Sequence, residues 1–231
     1  MANIGGRGST QASCFVGYGQ AMATKRKTAK KSASKSASTM SARPATGSYT
    51  VPGMSLADGH QVGRTLQDRL NSLNDLALTL KHVHWNVVGP HFIGVHEMID
   101  PHVVEVRDMV DETAERMATL GVSPAGTPGA IVAGRTWDDY RLGRATTNEH
   151  LGALDIVYEG LVADHREAME SVSETDSVTE DMLIAQVAKL ELFQWFVRAH
   201  LESTAGDLST SGAQDEKGAS QRASRAAKKR G

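Results

Sequence analysis

A single cysteine, Cys14, rules out a disulfide within the chain and points to a reducing compartment. No apolar run approaches the ~18–20 residues needed to cross a bilayer. The first 20 residues are too glycine-rich and too weakly apolar for a secretory signal, so a cytoplasmic protein is expected. Acids are missing from both ends. Residues 1–57 carry Arg7, Lys25, Arg26, Lys27, Lys30, Lys31, Lys35 and Arg43 and no Asp or Glu. Residues 217–231 carry Lys217, Arg222, Arg225, Lys228, Lys229 and Arg230, again with no acid. Setting those 14 cations aside leaves 11 of the 25 Lys and Arg against all 27 acids in 58–216, a net of −16. The overall charge of −2 therefore hides an acidic body between two basic tails. Such tails are the electrostatic footprint of a polyanion binder.

Strand patterns of any length are also absent, and large apolar groups are scarce in residues 22–50. That stretch, which opens with "MATKRKTAKKSASKSAS", cannot bury enough surface to offset its ordering. Residues 1–54 are expected to form a disordered basic tail, and residues 207–231 a second one. Met22 opens the Lys-rich run, so residues 1–21 read as a start assigned too far upstream or as a remnant. The tails read either as DNA-binding arms or as solubilising extensions. The folded domain is expected over 55–206.

What the body contains is helical periodicity. Leu66, Leu70, Leu73, Ala77, Leu80 and His84 recur at steps of four and three, one face of an amphipathic helix. Gly89-Pro90 ends it. A second helix is expected from about Phe92 to Leu120, ending at Gly121. "GVSPAGTPGAIVAGRTWDD" makes a long, turn-rich connection. Two further helices are expected over roughly 144–172 and 179–204. The fold class is all-α: a ferritin-like four-helix bundle with a long crossover between helices two and three, flanked by disordered basic tails.

Chemistry gathers in "LKHVHWNVVGPHFIGVHEMIDP". His84 closes the apolar stripe of the first helix, so by itself it reads as a core or interface histidine. On the second helix His96 and Asp100 are four apart, as are Asp111 and Glu115, and each pair shares a face. From Asp100 to Asp111 is eleven residues, about three turns, so both pairs are in phase. Eleven residues also span roughly 16 Å, too far for one metal centre in one chain. A two-fold axis near Glu105 and Val106 would set His96 and Asp100 opposite Asp111 and Glu115 of a second copy, with His84 joining from helix one. Two imidazoles and three carboxylates without a thiolate suit iron(II), with manganese or zinc as competitors. One alternative stays open: a helix starting at Pro101 would make Asp100 an N-cap instead of a ligand. An intrachain di-iron site fits poorly, because no E-x-x-H occurs; Glu191-x-x-Gln194 is the nearest approach and reads as an ordinary surface-to-interface pair.

"LKHVHWNVVGPHFIGVHEMID", "MVDETAERMATLG" and "FQWFVRAHLE" together resemble the Dps family, the DNA-binding proteins from starved cells, in its actinobacterial branch. The resemblance covers about residues 51–210. It implies a hollow dodecamer, a ferroxidase site at the dimer interface, hydrogen peroxide as preferred oxidant and iron(III) stored in the cavity. His84, His96 and Asp100 would come from one chain, Asp111 and Glu115 from the other. Trp85 and Trp195 match family tryptophans near the site and read equally as electron donors or as packing. Asp176, Glu180 and Asp181 stand where the family has its acidic pore; helix-end charge is the competing reading. His60, His82, His91, His102, His150, His165 and His200 are read as surface or packing residues. Two functions fit these residues: a ferroxidase and iron store that also condenses DNA at the nucleoid, or a structural nucleoid-condensing protein with a vestigial or purely structural metal site.

Overall fold

The computed structural model describes residues 46–230. Helix α1 spans Leu56–Asn86, capped by the Ser55 hydroxyl, which accepts from the Asp58 amide at 3.1 Å. Gly89, at φ 94°, and His91, at φ 63°, reverse the chain into α2, Phe92–Thr119. Pro101 lies inside α2, so Asp100 is not its N-cap. At the far end the Val122 amide donates to the Met117 carbonyl at 2.9 Å and the Gly121 amide to that of Ala118 at 3.0 Å. These are the two bonds of a Schellman cap. Gly121 sits at φ 79°, and a Cβ there would lie 2.1 Å from the Tyr49 carbonyl oxygen, so glycine is required twice over.

The crossover carries a short helix, α3, Pro128–Gly134. It then lays β2, Ala145–Thr146, parallel to β1, Val87–Val88, in a two-residue ladder. Helix α4, Thr147–Val172, starts with a capping box in which Thr146 and Glu149 satisfy each other's backbone amides. Helix α5 spans Ser177–Leu201. Ion pairs such as Lys81–Asp100 and Arg166–Glu191 show that α1 runs antiparallel to α2 and α4 to α5. The α1 stripe from Leu66 to Leu80 is buried as the periodicity requires. One core cluster joins Leu73, Leu80, Ile99, Val106, Leu154, Tyr158, Leu190 and Val197; a second, toward the other end, joins Leu66, Leu70, Met117, Leu120 and Leu183. Their apolar burial stabilises the bundle by about 1.5–3 kcal/mol per large side chain.

Both expected tail boundaries need correction. Residues 46–54 are tied down: Thr46 bridges to Val122, the Gly47 amide donates to the Gly121 carbonyl at 2.6 Å, and Val51 and Met54 pack on the second cluster. Residues 1–45 of the expected N-terminal tail lie outside the described residues. At the other end, Glu216–Arg230 form a helix, α6, that packs along α4. Ala219 and Ala223 are completely buried against Gly152, where a Cβ would come within 2.8 Å of the Ala219 carbonyl oxygen. A seam of small residues buries backbone instead of long side chains, so it leaves no apolar stripe to read in the sequence. The connecting segment is held by Asp155. This buried carboxylate accepts from the Thr210 hydroxyl at 2.7 Å, Arg198 Nε at 2.7 Å and Gln194 Nε2 at 3.2 Å.

Candidate metal centre

His84 and His96 face one another where α1 ends and α2 begins. Their rings stack at 3.6 Å between centroids with 21° between planes. Nδ1 of His84 donates to the His96 carbonyl, and Nδ1 of His96 to the His84 carbonyl, both at 2.9 Å. A carbonyl can only accept, so each Nδ1 carries a hydrogen, and each Nε2 is the nitrogen left for a ligand. The backbone fixes tautomer and ring orientation at once, as the outer partners of metal-bound imidazoles do. Phe92 meets His96 edge-on at 6.2 Å.

Asp100 stands one turn further along α2. Its Oδ1 is 3.3 Å from His84 Nδ1 and accepts from Lys81 Nζ at 2.9 Å. The Lys81 hydrogen bond, with the positive field of His84, Lys81 and His96, holds this carboxyl below the usual carboxylate range. Lys81 also lies 5.8 Å from the centre of the Trp85 ring, and Trp85 is 72% exposed. Sequence inspection missed Lys81; its position one turn before His84 was the available signal.

Asp111 and Glu115 are exposed and stand on the same face of α2, three turns away. A single chain does not bring them to the histidines: among the described residues, no three His, Cys, Asp or Glu side chains are poised around one ion. Val104, between the two pairs, is an uncovered apolar group at 59% exposure, as is Ile93 one turn before His96 at 52%, alongside Leu78 and Trp85 of α1. The sequence midpoint of the ligand pairs falls between Glu105 and Val106; Val106 belongs to the core, whereas Val104 and Arg107 on either side are exposed.

The three candidate pore acids separate. Asp176 is buried, pairs with Arg116 at 2.6 Å and accepts from the Thr179 hydroxyl. Burial pushes its carboxyl up, but the bonds from Thr179 and Arg116 outweigh that and hold it below the ordinary range. Glu180 is half-buried and Asp181 exposed at the start of α5. Trp195 is 59% exposed beside Phe196, at 5.3 Å between ring centroids.

The remaining histidines serve the fold where they are buried. His102 bonds the Tyr158 hydroxyl at 3.2 Å, His150 the Tyr140 hydroxyl at 3.0 Å and His165 the Leu161 carbonyl at 3.0 Å. Gln194 is spent on Asp155, and Glu191 pairs with Arg166. Of the expected DNA-binding cations, Lys25, Arg26, Lys27, Lys30, Lys31, Lys35 and Arg43 lie outside the described residues, whereas Lys217, Arg222, Arg225, Lys228, Lys229 and Arg230 belong to α6.

Comparison with known proteins identifies the fold and its relatives. The ferritin-like domain family matches residues 64–206. The DNA protection during starvation protein of Mycolicibacterium smegmatis is 57% identical over 178 residues, 77% of this chain and 97% of that one. The fine tangled pili major subunit of Haemophilus ducreyi is 49% identical over 160 residues, 69% of this chain and 85% of that one. The structure of DpsA14 from Streptomyces coelicolor superposes with a TM-score of 0.71 at 59% identity, covering 72% of this chain and 99% of that one.

Proposed function

The chain belongs to the Dps family of ferritin-like proteins, and we propose that it is a ferroxidase and iron store that also binds and condenses DNA. Iron(II) is the substrate. In a two-fold dimer, Nε2 of His84 and His96 would meet Asp111 and Glu115 of the second chain, and Asp100 would exchange its Lys81 partner for the ion. Two such sites form per dimer. Hydrogen peroxide would accept two electrons, one from each of two iron(II) ions, and leave as two hydroxides or, with two protons, two waters. The observation that supports this reading is the reciprocal His84–His96 lock, which commits each Nδ1 to a main-chain carbonyl and leaves each Nε2 as the nitrogen for a metal.

Iron(II) would enter past Glu180 and Asp181, and the oxidised iron would mineralise in the cavity of a dodecamer. Trp85 and Trp195, both exposed, would serve as electron donors to stray radical oxidants. DNA would be held by the basic ends, without sequence preference, in a cytoplasmic, nucleoid-associated particle. No described helix is long and apolar enough to cross a membrane.

A structural role without iron chemistry is the second reading. It is favoured by the Lys81–Asp100 pair, which occupies one expected ligand. Iron(II) mixed anaerobically with the protein and then with peroxide separates the two. The ferroxidase reading expects fast growth of ferric absorbance and disappearance of peroxide, both lost on His84→Ala. A rate equal to that of iron and peroxide in buffer would leave only the structural role.

A further inference from the structure

A cavity of about 210 Å³ lies where α1, the crossover and α4 meet, with the first residue of α6 in its wall. Its apolar side is Leu76 of α1 with Ile156, Val157 and Leu161 of α4. Trp137 and Tyr140 of the crossover add two aromatic rings, each anchored by its polar end. Trp137 Nε1 donates to Asp75 at 2.9 Å, and the Tyr140 hydroxyl pairs with His150 Nδ1 at 3.0 Å. A dry cavity of about 150 Å³ is enough for benzene, so this volume suits one ring with a short arm. None of the five candidate metal ligands lines it.

The charged lining has one sign. Asp75, Asp138, Asp164 and Glu216 line the cavity, and no lysine or arginine does. Three of these acids have cationic neighbours outside it: Arg135 beside Asp75, Arg141 bonded to Asp138 at 2.7 Å, and Arg69 at 3.7 Å from Asp164. Glu216 is different. Half-buried, it accepts among the described residues only the Arg141 amide, at 3.4 Å. Burial pushes its carboxyl above the usual range, and the charges of Asp75 and Asp138 add to that against the pull of Arg141. A carboxylate so placed gains from a cation beside it. The acids do not converge as metal ligands would: among the described residues, no three His, Cys, Asp or Glu side chains are poised around one ion. The lining suits one positive charge carried on an apolar body.

We infer that this cavity binds a small organic ammonium ion. The nitrogen pairs with Glu216, and an aromatic or short alkyl body lies against Leu76, Ile156 and Val157. Trp137 and Tyr140 supply rings for cation–π attraction.

Calorimetric titration of the full chain with 2-phenylethylammonium tests this, beside 2-phenylethanol, its neutral counterpart, and phenylacetate, an anion of similar size. The ammonium ion should bind about tenfold more tightly than the alcohol, and the anion not at all. Glu216→Gln should erase that preference and leave alcohol binding unchanged. Gly160→Leu fills the space without touching a charge. Gly160 lines the cavity on α4, and a Cβ there meets nothing within 4 Å. The exchange also puts a better helix former in a helix, so the fold should survive while both ligands are lost. Equal affinity for the ammonium ion and the alcohol would overturn the inference. Ammonium binding that survives Gly160→Leu would overturn it too and assign the cation to the acidic surface at large. Absence of ammonium binding overturns it as well; if binding then appears once residues 1–45 are deleted, the cavity belongs to a lysine of that segment.

Discussion

His84 and His96 orient each other: each ring donates its Nδ1 hydrogen to the other residue's main-chain carbonyl at 2.9 Å. Two ligands of the proposed metal centre are thereby set by two helix ends of one chain, and the other candidates, Asp111 and Glu115, begin about 22 Å beyond His96 along α2. Chain mixing tests the arrangement. A His84→Ala, His96→Ala variant and an Asp111→Ala, Glu115→Ala variant should each be almost inactive in iron oxidation. Refolded together, mixed dimers should regain one of their two sites. Assembled mixtures that stay inactive would exclude a shared site, and activity in either parent variant would exclude the ligand assignment.

Asp176 and its neighbours should respond differently to neutralisation. Asp176→Asn leaves the Arg116 guanidinium, only 14% exposed, without its partner, and should cost about 3 kcal/mol of stability. Glu180→Gln with Asp181→Asn should leave the unfolding midpoint nearly unchanged but slow iron uptake, most at low ionic strength. Uptake equal to the parent's across the salt series would reduce Glu180 and Asp181 to helix-end charges.

His165 sets part of the acid sensitivity. Burial, with the adjacent Arg69 charge, pulls its pKa down to about 3. Its folded pKa is below the unfolded value of about 6.5, so the unfolded chain binds the extra proton between those limits. Its contribution is complete above about pH 6.5 and is lost as pH falls toward 3, amounting to about 2 kcal/mol by pH 5. His165→Leu should flatten this limb. Denaturant midpoints at pH 7 and pH 5, at one protein concentration, measure it. An unchanged pH 7-to-pH 5 difference in His165→Leu would assign the acid limb to other groups.

The basic ends can be removed in order. Deleting residues 1–45 stops short of the Gly47–Gly121 bond, so the folded body should survive with weaker DNA binding and a flatter salt dependence. Deleting 217–231 as well should abolish condensation and leave iron oxidation intact. Condensation by the doubly shortened particle at moderate salt would move the DNA contact onto the body.

The bundle was legible because its core is built from large side chains at helical spacing: Leu66, Leu70, Leu73 and Leu80 announce the face they bury. His84 was legible as a ligand candidate because it continues that stripe with the wrong chemistry for a core. The distance between ligand pairs, and hence the expectation of a second chain, came from helical rise alone. Asp155 was not legible, since a carboxylate reads as surface and only the fold converges Arg198, Gln194 and Thr210 on it. Helix α6 escaped for the opposite reason: its buried face is two alanines and a partner glycine, indistinguishable by composition from a solvated tail. The internal ion pair of Asp176 was hidden because Arg116 lies 60 residues away in sequence.

Pro101 gives α2 a mechanical property. It has no N–H to offer the Glu97 carbonyl, so the helix is joined there by one fewer strut, on an exposed flank. His96 and Asp100 ride on the rod before this joint; Asp111 and Glu115 ride on the rod after it. In the proposed dimer every centre takes its imidazoles from the leading rod of one chain and its far carboxylates from the trailing rod of the other. A small bend at both joints would then change the spacing of the two proposed centres in step.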